Sequence, residues 1–345
     1  MSHRKRETLT YLFTICYRDV QGPEILFECL LLQKTLHSRG PVMGIWSTMQ
    51  SSNVQVRQFA PFLGWTVVCC LAFLKPLLAA ASYSFHNDSA SHIILIPFIV
   101  AFLLYVEQRS ILRGRFDFAA ICFALPAALL VVLALRPPAQ LSSGNVPLTI
   151  SILAFVLFLI AGFVAIYGRR TAAQQSFSLA FLLFLIPVPD PILNRIIYSL
   201  QVGSAEIAEW LFDLTGTPAL RQGFVFHLPT VNIEVAQECS GIRSSLALLI
   251  LALLVAHFTL SKVWKKTLFV VAGLIIVFVK NGIRIATLTI LANNVNPDFL
   301  YGRLHRGGGV VFFLVGLALL LPIHWLLRRG DQQPTSIAPS TLARN

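Results

Sequence analysis

Charged residues are scarce in this chain: only 12% of its 345 residues are Asp, Glu, Lys or Arg, and only 15 are acidic. Hydrophobic residues make up 56%, and the mean hydropathy is +0.73. A soluble domain of this length needs more polar surface, because a folded protein covers much of its outside with polar groups. The composition therefore excludes an ordinary soluble enzyme and indicates a protein that has lipid as a second solvent.

Several catalytic signatures are also absent. The sequence has no HExxH motif and no tight group of histidines and carboxylates, which argues against metal-dependent hydrolysis, so neither metal nor cofactor is expected. It has no GxSxG elbow, although a serine route through Ser240 or Ser244 stays open. The cysteines match no zinc or haem spacing; they are Cys16, Cys29, Cys69, Cys70, Cys122 and Cys239.

Eight segments are candidate membrane spans, since about 20 apolar residues cross a bilayer as a helix. They cover residues 60–83, 92–106, 116–135, 146–167, 177–187, 240–260, 267–292 and 308–327. The fifth segment runs into Pro187, Pro189 and Pro191, which must end or break it, and backbone released there has to be buried in protein or wetted. The pattern predicts an all-α polytopic membrane protein.

Basic residues indicate the orientation of these spans. The loops after the second, fourth, sixth and eighth spans hold two or three Lys or Arg each, whereas the loop at 84–91 has none. By the positive-inside rule both termini are cytoplasmic, and residues 188–239 and 293–307 face outward. The net charge of +12 then reflects topology and attraction to anionic lipid rather than nucleic-acid binding, because the basic residues are scattered over short loops.

Three regions follow from this layout. Residues 1–58 are predicted to be a cytoplasmic N-terminal extension, either disordered or the product of an upstream start, residues 59–329 a transmembrane domain, and residues 330–345 a cytoplasmic tail. Within the outward segment, residues 192–214 have the apolar spacing of an amphipathic helix that lies on the membrane or over a site. Residues 224–236 carry the aromatic and β-branched side chains typical of short strands.

Cys239 is the first candidate site residue. It stands in the string ECSGIRSS, residues 238–245, directly before the sixth span. A thiol at a helix N-terminus lies at the positive end of the helix dipole, which favours the thiolate, and Arg243 adds a positive charge four residues on. The alternative is a small buried apolar residue. In the predicted topology this cysteine is at the outer face, where an unpaired thiol is usually a liability.

Arg284 and His305 are the other candidates. Arg284 lies in KNGIRI, residues 280–285, about 12 Å below the outer end of a span ending at Ala292. A charge at that depth costs at least ~2.5 kcal/mol unless it faces protein or water, and Asn281 and Lys280 share its helix face. His305 is predicted to lie in the outer loop before a run of glycines. Cysteine, histidine and arginine together could supply the nucleophile, the acid and the oxyanion donor of acyl transfer.

These strings, in this order and spacing, resemble the exosortase/archaeosortase family over residues 59–329. The resemblance implies a membrane-embedded cysteine protease or transpeptidase at the outer face of the cytoplasmic membrane. Its substrates would be exported proteins that end in a PEP-CTERM-like signal: a short motif such as Pro-Glu-Pro, a transmembrane helix and a basic cluster. Bacterial members are often tied to exopolysaccharide production.

The resemblance also assigns roles by motif position. Cys239 would be the nucleophile, Arg284 the electrostatic partner and His305 the acid/base, and His305 favours the bacterial branch. The supporting positions would be Ser240, Gly241, Arg243 and Asn281.

Two readings compete with the enzyme. A non-enzymatic membrane component of exopolysaccharide or protein export would use Arg284 and Lys280 to line a path for anionic cargo. A purely structural anchor leaves the cost of Arg284 unexplained. For the enzyme itself, the acyl acceptor is open, so hydrolysis and transpeptidation are both allowed.

Overall fold

The computed structural model describes residues 59–107, 117–136, 138, 141, 143–236, 241–296 and 303–329, with the backbone alone described at 303–308. Two compact units divide after Gly64. All contacts given below lie within the second unit, Trp65–Asn345. The predictions for residues 1–58 and 330–345 fall outside the described residues.

The described residues are mostly helical. The helices are α1 Phe59–Ala72, α2 Leu74–His86, α3 Ile96–Val106, α4 Ile121–Leu135, α5 Val146–Gln174, α6 Ser176–Phe181, α7 Asp190–Thr215, α8 Ile242–Thr259, α9 Val263–Asn294 and α10 Arg303–Arg329. Short 3-10 turns cover Asp88–Ala90, Ile93–Leu95, Phe118–Ala120 and Leu182–Leu185. Six stretches of the described chain are long and apolar enough to cross a membrane, or eight if each of two bent pairs is one span. The predicted all-α polytopic membrane fold is confirmed.

The first predicted span is not one straight helix. Helices α1 and α2 meet at Phe73 with a bend of 80°. Pro76 stands in the first turn of α2, where it has no N–H to donate to Ala72 and its ring would clash with that carbonyl in a continuous helix. The predicted span over residues 60–83 thus consists of two helices with a bend between them, and Pro76 accounts for the bend.

The break predicted at Pro187 is confirmed. The helical stretch Ser176–Leu185 and helix α7 meet at an angle of 95°. The carbonyl oxygens released there are buried against α5: Thr149 donates to the Pro187 oxygen at 3.0 Å and the Asn145 amide to the Val188 oxygen at 2.8 Å. This satisfies the backbone groups that a lipid environment would leave without partners.

Helix α7 is the predicted amphipathic helix, and the short strands follow it. Strands β1 Leu220–Gln222, β2 Val225–His227 and β3 Asn232–Glu234 form an antiparallel sheet in sequence order. The sheet packs Phe226 against Phe212 of α7 and shares a buried cluster with Ile285 and Ala286 of α9. Both predictions for this segment are confirmed.

Helix α9 is the central element of this packing. Its 32 residues extend for about 48 Å, whereas the 18 residues of α8 extend for about 27 Å. The last turns of α9 therefore continue beyond the start of α8 and pack on α7 and the sheet. At Gly282 a Cβ would come within 2.4 Å of Ile207, so the two helices approach closely there.

The ends of the helices fall into two groups. We call the end that carries β1–β3, Asn145 and Asp190 the sheet end. The other end, which carries Glu107, Gln175 and His257, is the opposite end. Thr230 next to β3 donates to the Asn293 side chain at 2.6 Å, which ties the last turn of α9 to the sheet end.

Candidate active site

Gly241 sets the start of helix α8. Its φ of +66° is left-handed, a conformation that disfavours residues with a Cβ. The Gly241 carbonyl accepts hydrogen bonds from the Ser245 amide at 2.9 Å and from the hydroxyls of Ser244 and Ser245 at 3.0 and 2.8 Å. The first turn is thus held by side chains of the ECSGIRSS string itself.

Asn281 of helix α9 packs against this turn. A Cβ at Gly241 would lie 2.6 Å from the Asn281 Oδ1 atom, so the backbone of the turn touches the Asn281 side chain. Asn281 is buried, and its amide donates to the Ser204 hydroxyl of α7 at 2.9 Å. One side chain therefore connects three segments: the start of α8, the middle of α9 and α7.

This contact between Gly241 and Asn281 gives the position of Arg284 along the bundle axis. Helices α8 and α9 are antiparallel, and Gly241 is level with Asn281. Arg284 lies three residues further along α9, about 4.5 Å towards the sheet end. Residues of α9 beyond Arg284 pack on α7 and the sheet.

Lys280 is the most buried cation of the described site. Its side chain is 1% exposed, and its Nζ donates to the Ser244 hydroxyl at 2.5 Å. On its other side, a Cβ at Gly316 of α10 would lie 3.3 Å from the Lys280 Cδ. Lys280 is thus enclosed between α8 and α10, one helical turn below Arg284 on the same face.

Arg243 does not point into this arrangement. Its guanidinium lies 3.4 Å from the Asp88 carboxylate, and the two side chains are 69% and 74% exposed. An exposed pair of this kind contributes less than about 1 kcal/mol. The positive charge of Arg243 is therefore shared with Asp88 and screened by solvent, whereas Lys280 is buried against Ser244 in the first turn of α8.

Cys239 and Ser240 lie outside the described residues. His305 stands in the first turn of α10, which begins at Arg303, and its side chain is outside the described part. The expectation that His305 precedes the helix in a loop is therefore wrong. A helix satisfies its own backbone polar groups, and glycine, although a weak helix former, does not prevent one.

The helix register relates His305 to Arg284. Gly316 of α10 touches Lys280, and His305 is eleven residues nearer the sheet end, about 16 Å along the axis. Arg284 is four residues, about 6 Å, beyond Lys280 in the same direction. Along the bundle axis, the backbone of His305 therefore lies about 10 Å nearer the sheet end than the backbone of Arg284.

Sequence reasoning missed two partners in this region. Ser204 holds Asn281, and Asp88 holds Arg243. Ser204 had a detectable signal, since the run Gly203-Ser204-Ala205 in an otherwise amphipathic helix is typical of close helix packing. Asp88 had none, because it lies 155 residues from Arg243 in the chain.

A second polar cluster at the opposite end was not predicted either. His257 Nε2 lies 2.6 Å from Glu107 Oε1, and Ser178 donates to the other Glu107 oxygen at 3.1 Å. The His257 ring also stacks on Phe177, with 3.7 Å between ring centroids. His257 is therefore partnered inside the protein.

The family comparison covers most of this architecture. The family model of transmembrane exosortases (Exosortase_EpsH) matches residues 82–322, more than two thirds of the chain. No curated protein and no solved structure matches it. The matched range contains the ECSGIRSS and KNGIRI strings and His305. Together with the apolar helices it makes this a multi-pass membrane protein embedded in the lipid bilayer, and the family implies a peptidase or transpeptidase kind of activity. The chain belongs to the transmembrane exosortase family.

Proposed function

We propose that this protein is a cysteine-dependent sorting peptidase or transpeptidase that cleaves PEP-CTERM-like C-terminal signals of exported proteins. The observation that carries the proposal is the contact between Gly241 and Asn281. Covalent geometry keeps the Cα of Cys239 within about 7 Å of that of Gly241. Arg284 follows Asn281 by three residues. The two motif strings therefore meet at one level of the bundle, which is what a shared site requires.

The roles follow from the chemistry of the three groups. The Cys239 thiolate attacks the carbonyl carbon of the scissile peptide, and a C–S bond forms while the carbonyl oxygen becomes an oxyanion. The Arg284 guanidinium stabilises that oxyanion. His305 donates a proton to the leaving amine as the C–N bond breaks. Water or an amine then releases the acyl group and regenerates the thiol.

The spacing along the helices suits an extended substrate. A strand rises about 3.3 Å per residue, so the difference of about 10 Å between the levels of Arg284 and His305 equals about three residues of extended peptide. A peptide chain that enters from the sheet end could present its scissile carbonyl near Arg284 while the chain beyond it passes His305.

The orientation of the bundle completes the proposal. The basic loops predict cytoplasmic termini, so the sheet end faces the periplasm or exterior of the cytoplasmic membrane. A substrate anchored there by its own C-terminal helix would bring the preceding motif to the same face. The partners are thus the lipid bilayer and exported proteins with a motif, a helix and a basic cluster.

The test is a processing assay in cells. The protein is co-produced with a reporter that ends in a Pro-Glu-Pro motif, an apolar helix and an Arg/Lys cluster, and the reporter is followed by immunoblotting. Cys239→Ala should abolish processing while the protein still inserts, because the nucleophile is lost. Cys122→Ala, at an exposed position of α4, is the matched control and should process normally.

Labelling tests the location of Cys239, and processing in two variants distinguishes this mechanism from a non-enzymatic export component. A membrane-impermeant maleimide applied to intact spheroplasts should label Cys239 and spare Cys122. Processing that persists in Cys239→Ala would refute the cysteine mechanism. Loss of processing in Arg284→Ala alone, with Cys239→Ala silent, would instead favour a component of export.

A further inference from the structure

A groove opens between three helices at the opposite end of the bundle, away from the candidate active site. Its volume is about 490 Å³, and it is lined by the start of α6, the last two turns of α8 and the first turns of α9. The proposed peptidase reaction uses none of the residues that line it. The groove therefore calls for an explanation of its own.

The groove is polar near the helix ends and apolar further in. Lys266 of α9 lies in its outer part, whereas Val270 and Val271 of α9 and Leu253 of α8 line its deeper part. Val271 is five residues beyond Lys266, about 7.5 Å further along the helix axis, and Leu253 is six residues, about 9 Å, before the end of α8. Such a gradient fits an amphiphile with a polar head at the helix ends and an apolar chain along the helices.

The groove faces the lipid of the membrane. Helices α8 and α9, which form two of its walls, are both long and apolar enough to cross a bilayer. Val271 in its deeper part is 44% exposed on the described chain, so the bilayer has to cover it. Because acyl chains surround such a surface, the occupant of the groove is a lipid rather than a water-soluble ligand.

The cations at this end of the bundle differ in how they are held. Lys265 is buried and donates to the Leu327 carbonyl at 2.8 Å, and the Arg329 guanidinium stacks on the Trp325 ring at 3.2 Å. Lys266, in contrast, takes part in none of the ion pairs of the described residues. Its ammonium therefore brings a positive charge to the groove without an acidic partner from the described part of the chain.

The acidic side chain of this region is engaged within the protein. Glu107 lies 2.6 Å from His257 Nε2 and accepts from Ser178 at 3.1 Å. The His257 ring stacks on Phe177, and these two rings form one wall of the groove. The groove thus offers the positive charge of Lys266 to its occupant, and an anionic head group complements that charge.

We propose that this groove is a binding site for an anionic phospholipid, with the phosphate of the head group at Lys266 and one acyl chain along Leu253, Val270 and Val271. A lysine binds phosphate as a point charge, and basic pockets between membrane helices bind anionic head groups. The occupant is a lipid of the surrounding bilayer rather than free phosphate, because the deeper part of the groove is apolar. Binding here does not require the proposed peptidase activity.

The experiment counts bound lipid on the full chain in detergent by native mass spectrometry. The protein is titrated with dioleoyl phosphatidylglycerol and, separately, with dioleoyl phosphatidylcholine, which has the same chains and no net charge. Phosphatidylglycerol should occupy one saturable site about fivefold more tightly, the effect of one lysine near a membrane surface, and Lys266→Gln should remove this preference. Lys266→Arg keeps the charge and should retain it. Equal affinity of the unmodified protein for the two lipids would overturn the proposal.

Lys262 provides a matched control for the charge. It is the exposed N-cap residue of α9, at the same end of the bundle, and it does not line the groove. Lys262→Gln removes the same charge and should change the affinity for phosphatidylglycerol by less than about twofold. An equal loss of affinity in Lys262→Gln and Lys266→Gln would contradict a specific site, because a diffuse basic surface would then attract the lipid.

A second pair of variants tests the apolar part of the groove. Val271 and Leu274 are both 44% exposed and lie one turn apart on α9, but only Val271 lines the groove. Val271→Trp should fill the deeper part and abolish the saturable site, whereas Leu274→Trp should leave it intact. Soluble glycerol 3-phosphate, which has the phosphate without the chains, should not displace phosphatidylglycerol. Displacement by glycerol 3-phosphate, or equal binding to the two tryptophan variants, would rule out the proposed lipid site.

Discussion

The two ends of the helical bundle each contain a polar cluster, partly buried at the opposite end and buried at Lys280 and Asn281, and the clusters differ in how charge is balanced. At the opposite end, the Glu107 carboxylate accepts from Ser178 and faces His257, so a negative group is built into the cluster. At the sheet end, the described cluster of Lys280, Ser244 and Asn281 has a cation and neutral groups only. The first cluster therefore contains its own negative group, whereas the described part of the second is held by hydrogen bonds from Lys280 to Ser244 and from Asn281 to Ser204.

The two buried lysines of α9 show the same contrast. Lys265 donates to a carbonyl near the C-terminus of α10, where a cation is favoured, and Lys280 donates to a hydroxyl near the N-terminus of α8, where it is not. The same residue type on one helix thus meets opposite ends of two helix dipoles.

The largest expected effect is at Arg284. Arg284→Ala should lower reporter processing by at least about a hundredfold, because one oxyanion donor is worth about 10²- to 10³-fold in rate. Arg284→Lys should not restore it, since the planar fork of donors is lost. Arg195→Ala, an exposed arginine on α7, should remain within about threefold of the parent. Equal losses at both positions would remove the distinction between site and surface.

A glycine pair tests the start of α8. Gly241 and Gly216 have nearly the same φ, +66° and +67°, but a Cβ at Gly241 meets Asn281 and a Cβ at Gly216 meets nothing within 4 Å. Gly216→Ala should cost about 1 kcal/mol for the left-handed backbone alone. Gly241→Ala should cost about 2–4 kcal/mol, because overpacking is added. Denaturant unfolding in detergent measures both, and identical losses would contradict the close contact.

The cluster at the opposite end should affect stability and not catalysis. Glu107→Ala leaves the His257 and Ser178 side chains without their partly buried acceptor, which should lower the free energy of unfolding by about 1–2 kcal/mol. Processing per folded molecule should not change. Glu206→Ala, at an exposed acidic residue of α7, is the control and should change neither the free energy of unfolding nor processing. A loss of processing in Glu107→Ala without a loss of folded protein would contradict the claim that the cluster at the opposite end affects stability alone.

The smallest effect concerns Asp117 and pH. The carboxylate of Asp117 accepts hydrogen bonds from the amides of Ala119 and Arg169, both at about 3 Å, which holds the pKa of this carboxyl below its usual value. A lowered pKa in the folded state stabilises the protein above the unfolded pKa, and this contribution is lost as the pH falls through the folded value.

Asp117→Asn should therefore lower Tm by less than about 2 °C at pH 7, and the difference should shrink as the pH is lowered towards 3. Thermal unfolding in detergent at several pH values is the measurement. A difference that grows on acidification would have the wrong sign for a carboxylate stabilised in its charged form.

Much of the fold followed from local pattern. The break at Pro187, the amphipathic helix α7 and the short strands were all predicted, because proline, 3.6-residue periodicity and β-branched residues act over a few positions. The bend at Phe73 was not predicted although Pro76 is in the sequence, because a hydrophobic run long enough to span a membrane is a stronger helix signal than a single proline is a signal for a bend.

The candidate site was less predictable than the fold. The motif strings identified Asn281 and Gly241, but not that one touches the other. The pairing of Arg243 with Asp88 and the burial of Lys280 against Ser244 join residues 155 and 36 positions apart. Local sequence preferences carry no information about contacts between residues so far apart in the chain. The partners of Arg243 and Lys280 therefore depend on how the helices pack.

The amino-acid sequence by itself determined which segments are helical and apolar, because lipid leaves the backbone no other way to satisfy its hydrogen bonds. Only the tertiary structure decided the register of α8 on α9, which places Gly241 on Asn281 and Lys280 under the first turn of α8. That register depends on how side chains from three helices fit together at close-packed density, and such fit is a property of the assembled helices rather than of any one segment.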